Sequence, residues 1–195
     1  MLPSAYRRRP TCRPGWEVRT IALRTVLTYG APVLRQKALP VTEPLESLKP
    51  LVEDMFETMI AEPGIGLAAP QIGVSRRLAV IDAVAEDDAG EKLCPQLVLV
   101  NPEITWFSPD RVPYEEGCLS VPEITESVER PRAIRFRYTA LDGSQVEREA
   151  AGLLARVVQH EVDHLNGILF VDRLSLVKKQ LLRNKLRQLA SAARV

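Results

Sequence analysis

Histidine is almost missing from this chain of 195 residues, which holds two, and aromatic residues make up only 5% of it. No apolar run approaches the roughly 20 residues that cross a bilayer, so no membrane association is expected. Cysteine is scarce too. Cys12, Cys94 and Cys118 are odd in number and widely spaced, which argues against a disulfide framework and for a reducing, cytoplasmic setting. The first 24 residues lack the apolar core of a secretory signal; six arginines against one acid would suit a transit peptide, but serine is scarce, and a disordered extension over residues 1–20 is expected instead. No internal repeat or second domain is visible, so residues 21–195 are expected to form one domain. A hydrophobic fraction of 46% and a charged fraction of 26% belong to an ordinary soluble globular protein.

Charge is balanced in total and uneven in place. Residues 1–24 carry a net +5 and residues 174–195 a net +6, so within the total of +1 the segment between them holds −10. Basic ends on an acidic body suit a polyanion such as RNA, or serve only to keep the chain solvated.

Both histidines fall in one short stretch, Gln159-His160-Glu161-Val162-Asp163-His164-Leu165-Asn166-Gly167. Positions i and i+4 of a helix share a face, so two imidazoles at that spacing can reach one metal ion. Glu161 then stands beside the metal, placed to take a proton from water. Leu153, Leu154, Val157, Val158 and Leu165 supply the apolar stripe of such a helix, and Gly167 its left-handed stop. Two solvated histidines on a helix would share the spacing, so the rest of the chain has to decide.

Upstream, Tyr29-Gly30-Ala31-Pro32 is a turn signal. Leu48, Leu51, Val52, Met55, Phe56 and Met59 recur at helical spacing, with Ser47 as N-cap and Pro50 in the first turn. Gly64-Ile65-Gly66-Leu67-Ala68-Ala69-Pro70-Gln71-Ile72-Gly73 has no lysine and is no phosphate loop. Its single polar side chain, Gln71, is a candidate donor to a developing oxyanion, although the stretch taken alone reads better as a plain tight turn. Arg77 to Ala83 and Leu97 to Asn101 are predicted as buried strands with a polar loop, Glu86 to Lys92, between them. Ala133 to Leu141 and Gln145 to Glu149 form a hairpin around Asp142-Gly143. A last helix, over about residues 175–190, is expected to turn Leu174, Val177, Leu181 and Leu189 inward, with Lys178, Lys179, Arg183, Lys185 and Arg187 on its other sides.

A catalytic site of this kind needs three protein ligands and an open position. Beyond His164 there is no further histidine or glutamate, and Asp172 is the sole acid. The third ligand is therefore Asp172 or lies upstream, where a thiolate would bind strongly. Elimination favours Cys118, which follows a glycine in a strand-like stretch, with Asp172 second.

Three stretches, Gly64 to Gln71, Glu116-Gly117-Cys118-Leu119-Ser120 and Gln159 to His164, resemble in order and spacing the motifs of the peptide deformylases. The likeness runs from about Ile21 to the C-terminal helix. It implies an α+β fold in which the central His-Glu-x-x-His helix packs among antiparallel sheets, followed by a C-terminal helix. It implies hydrolysis of the formyl group from N-formylmethionine of new polypeptides, with release of formate. Carried over, Cys118, His160 and His164 bind the metal, Glu161 moves the proton, and Gln71 with the Leu119 backbone N–H holds the oxyanion. Gly66 would approach the substrate backbone, Ile65 and Val157 would line the methionine pocket, and Glu116 would pair with Arg132. Arg156, on the helix face bordering that pocket, is expected to reach out to the rim. The family works with Fe²⁺, with Zn²⁺, Ni²⁺ or Co²⁺ as substitutes, although ligand type alone would suggest Zn²⁺. The basic C-terminal helix resembles that of the bacterial branch that docks on the ribosome. A monomer is expected.

A general metallopeptidase and a zinc-stabilised RNA-binding module are the competing readings. The first lacks its downstream third ligand, and the second has no need of a glutamate beside the metal.

Overall fold

Residues 23–83, 85–86, 92–93 and 96–193 are described by the structure, a computed structural model. The extension expected over residues 1–20, with Cys12, and Cys94 lie outside them.

The first helix, α1 (Lys49–Ala61), buries Val52, Met55, Phe56 and Met59, the apolar stripe read from the sequence. Its start differs from expectation. α1 grows out of a 3₁₀ turn over Leu45–Leu48, and Leu48 occupies the N-cap with no side-chain bond. Ser47 is diverted because its hydroxyl donates back to the Pro44 carbonyl at 2.6 Å.

Nine strands follow among the described residues: β1 (Gly66–Ala68), β2 (Leu78–Asp82), β3 (Ala85–Glu86), β4 (Lys92–Leu93), β5 (Gln96–Phe107), β6 (Arg111–Cys118), β7 (Val121–Pro131), β8 (Ala133–Thr139) and β9 (Gln145–Ala151). They form an antiparallel sheet in the order β1-β2-β5-β8-β9, a separate hairpin of β6 with β7, and a small β3–β4 pair. The motif helix α2 (Gly152–Leu165) and the C-terminal α3 (Leu176–Ala192) complete the chain. The α+β architecture with its motif helix among antiparallel sheets is the one the family resemblance implied.

The sequence of β2 explains how the layers stack. Leu78, Ala79, Val80 and Ile81 are all fully buried. Strand alternation sends them to opposite faces. Leu78 and Val80 join Val52, Met55 and Met59 of α1, while Ala79 and Ile81 join Leu154, Val158 and Leu165 of α2. The sheet therefore lies between two helices, and an uninterrupted apolar strand is what that position demands. β5 runs beyond the predicted end at Asn101 to Phe107. It does so through two register shifts against β8, the first bracketing Asn101. Asn101 adopts φ +51° there, and its side-chain amide exchanges bonds of 2.8 and 2.9 Å with the Val41 backbone.

α2 ends as its glycine forecast. Gly167 sits at φ +74°, and a side chain there would press on the Arg35 carbonyl at 2.8 Å. α3 corrects the sequence reading. Val177 and Leu181 are 71% and 78% exposed, and the inward residues are Leu174, Leu186 and, partly, Leu182 and Leu189. The first turn of α3 is tethered by lysines instead. Lys178 pairs with Glu126 at 2.8 Å and Lys179 donates to the Asp172 carbonyl at 2.7 Å, while Leu182, Leu186 and Leu189, at helical spacing, form the packed face and leave Val177 and Leu181 outward.

Candidate metal centre

Two elements meet to form the site. α2 presents His160 and His164 one turn apart, and the β6–β7 hairpin brings Cys118 to them from the end of β6. The three donor atoms all lie within 4.8 Å of one another. Cys118 Sγ is 3.2 Å from His164 Nε2, which is 3.2 Å from His160 Nε2. Asp172, the alternative ligand, is elsewhere: its carboxylate accepts from the Leu169 N–H at 2.8 Å and pairs with Arg35.

Converging lone pairs repel unless a positive charge sits among them. Burial works against a proton on His160, yet its hydrogen bonds to Cys118 and Glu116 push it up to about 10. Burial and then the charge of His160 hold His164 well below the ordinary histidine value. A thiolate with two imidazoles, arranged this way, fits one transition-metal cation.

The surroundings orient these donors. His160 Nδ1 lies 3.1 Å from Glu116 Oε2, so its Nε2 is left to face the metal position. Glu116 is gripped by Arg130 through bonds of 2.7 and 2.9 Å and by Arg156 at 2.9 Å. Burial alone would raise its pKa, but the hydrogen bonds from His160 and Arg130 hold it far below the carboxylate range. The network continues from Arg130 to Asp163 at 2.6 Å and from there to Arg173 at 2.6 Å.

Two expectations fail here. The partner of Glu116 is Arg130, not Arg132, because β7 ends at Pro131 and the chain turns away before its next inward position. Arg132 is exposed, and its backbone N–H bonds Asp110 at 3.0 Å. Arg156 does not reach the rim. It is 6% exposed, and its charge is held inside by Glu116.

Gln71 stands in a 3₁₀ turn over Ala69–Ile72 and is 2% exposed. The Ala68 N–H donates to its side-chain oxygen at 2.8 Å, so its NH₂ is aimed the other way. That group reaches Ser120 Oγ at 3.2 Å and Cys118 Sγ at 3.7 Å. Ser120, fully buried, was missed in the sequence; a hydroxyl two residues after the cysteine was its only signal.

Glu161 is 3% exposed, and its Oε2 has no hydrogen-bond partner among the described residues. Burial is the main cause that pushes its pKa up to about 7, only partly offset by the charges of His160 and Arg130. Gly66 is what makes room for it. A Cβ at position 66 would collide with Glu161 Oε1 and stand 2.9 Å from Val157 Cγ1. Ile65, Gly66, Leu119, Ile124, Val157 and Arg156 line a cavity of about 510 Å³ that opens onto Cys118, His160 and Glu161. A somewhat larger cavity, about 560 Å³ and lined by Arg77, Arg111 and Arg173, contains none of the three donors.

The polypeptide deformylase family profile matches residues 23–180. A peptide deformylase of Phenylobacterium zucineum is 49% identical over 173 residues, 89% of this chain and 100% of the relative. The crystal structure of a peptide deformylase from Legionella pneumophila superposes with a TM-score of 0.74 at 45% identity, covering 86% of this chain and 95% of the other. One from Synechococcus elongatus, in complex with actinonin, gives a TM-score of 0.75 at 40% identity, with 83% and 87% covered. A Cys-His-His cluster with an adjoining buried glutamate, on this fold and at this similarity, leaves one assignment: the chain belongs to the polypeptide deformylase family, hydrolases that remove the formyl group from N-formylmethionine of newly made polypeptides.

Proposed function

We propose that Cys118, His160 and His164 hold one Fe²⁺, with which this chain hydrolyses the formyl amide of N-formylmethionyl nascent peptides and releases formate. The observation that carries the ligand assignment is the convergence of those three donors within 4.8 Å, two of which, Cys118 and His160, line a cavity walled by Ile65 and Val157. When bound, the metal supplies Lewis acidity and makes water a competent nucleophile near neutral pH. The chain's own residues do the rest. Glu161, buried and with one carboxylate oxygen unpartnered among the described residues, takes a proton as water adds to the formyl carbon. It returns that proton to the departing nitrogen as the C–N bond breaks, leaving formate and a free amine. The Gln71 NH₂, its direction fixed by the Ala68 N–H, and the Leu119 backbone N–H stabilise the oxyanion between those events. Gly66 lets the substrate backbone approach, and Ile65 with Val157 receives the methionine side chain.

The choice of Fe²⁺ over Zn²⁺, Ni²⁺ or Co²⁺ rests on the family, not on ligand type. Residues 21–195 work as one monomeric catalytic domain in the cytoplasm. Among the described residues, no helix is long and apolar enough to cross a membrane. Exposed Arg183, Lys185 and Arg187 on α3 are the contacts through which the enzyme meets ribosomal RNA. Metal analysis after anaerobic purification, paired with formate release from a formyl-Met tripeptide, tests the reading. Cleavage of an unstructured protein without formate release would overturn it in favour of a metallopeptidase.

A further inference from the structure

Arg156 looked misplaced in the sequence, a charge one helical turn before His160 on the wall of an apolar pocket. Its bonds explain the position. Nη1 donates to Glu116 Oε1 at 2.9 Å and to the Val128 carbonyl at 3.0 Å, while Nη2 donates to the Val112 carbonyl at 2.7 Å. The guanidinium lies 5.8 Å from the centre of the Tyr114 ring. Val112 and Tyr114 belong to β6 and Val128 to β7, so one side chain of α2 grips both strands of the hairpin. Arg130 cannot stand in for it. Arg130 and Glu116 are both hairpin residues, and Arg130 reaches α2 only through Asp163.

We propose that Arg156 is a positioning residue for the metal site. It fixes Glu116, and through Glu116 the ring of His160, while pinning the hairpin that carries Cys118 against the helix that carries both histidines. The planar fork suits this task, since it serves three oxygens in different directions at once. The proposal rests on the reading of Cys118, His160 and His164 as ligands.

The test uses the full chain loaded with Co²⁺, comparing Arg156→Met, Arg156→Lys and a control, Arg24→Met. Arg24 pairs with Asp54 at 2.7 Å on α1, among none of the residues that orient the donors. Groups that orient metal ligands typically contribute 10–100-fold to metal affinity or activity. Arg156→Met should therefore surrender Co²⁺ to a chelator about tenfold faster or more, with altered d–d and thiolate charge-transfer absorption. Arg156→Lys should fall between, keeping the charge but not the fork. Arg24→Met should lower the melting temperature and leave release rate and spectrum unchanged. A folded Arg156→Met with parental release and spectrum overturns this proposal alone; if that variant does not fold, the same two readouts on Arg156→Lys decide. A parental protein that takes up no Co²⁺ overturns the ligand assignment and this proposal with it.

Discussion

Two of the helices, α2 and α3, are held in opposite ways. Every residue of α2 from Leu154 to Leu165 is buried except His160, which faces the site. Its polar side chains sit in a dense network: Arg156 on Glu116, Asp163 on two arginines, Gln159 on the Pro131 carbonyl. α3 buries Leu186 alone and exposes Leu176, Val177 and Leu181. A buried polar network is costly to disturb, because any member left unpaired has no water to turn to. A helix attached along one side can change its outer residues freely. Chemistry that needs donors fixed to fractions of an ångström is placed on the first kind of element, and a surface that meets partners can be carried on the second.

The comparison breaks most sharply at the centre. Glu161→Gln should keep its metal and lose about 10²–10⁴-fold in kcat if, as proposed, the carboxylate moves a proton and does not hold the ion. Metal content and formate release measured on one preparation check both halves. Cys118→Ala should instead lose the metal, since a three-ligand site cannot spare its thiolate, while Asp172→Asn retains it. Should Asp172→Asn empty the site and Cys118→Ala not, the ligand assignment made here is wrong. Gly66→Ala is next. The added methyl displaces Glu161, and a misplacement of about 1 Å can reduce turnover about 10²-fold. Substrate turnover with metal content unchanged is the signature to look for.

On α3 the effects should shrink and divide by side. Leu186→Ala, at the packed face, should destabilise by about 2 kcal/mol, at the low end for a buried leucine because it lies at the edge of the core. Leu181→Ala, 78% exposed, should stay within about 0.5 kcal/mol. Paired denaturant melts compare them, and equal losses would mean that α3 is gripped all round. Arg183, Lys185 and Arg187 replaced together by Ala should leave tripeptide turnover unchanged while ribosome affinity falls and its salt dependence flattens. Unaltered ribosome affinity at low salt would leave the helix a purely structural element.

How legible a region was in the sequence follows the same division. Both histidines, Glu161 and the end of α2 at Gly167 could be read directly, because i to i+4 spacing and a left-handed glycine are local facts of the backbone. Cys118 came by elimination, and the structure places it where elimination did. Ser47 failed as a cap because a rival local bond to Pro44 won, which propensity does not weigh. Ser120 could not be found, since its hydrogen bond to Gln71 joins residues 49 positions apart.

By itself, the amino-acid order determined which residues could do chemistry and which faces of α1 and α2 would be apolar, since both depend on residue type and the period of the chain. Which arginine meets Glu116 was decided by where β7 ends. Which side of α3 faces inward was decided by Leu182, Leu186 and Leu189 meeting the apolar cluster of β7 and the turn that holds Leu169, Phe170 and Val171. Arg156 at the pocket wall became intelligible only once Val112, Val128 and Glu116 stood around it. Each of these is a contact across distant chain segments. Such a contact is set by how the elements pack against each other, and no spacing within one element encodes it.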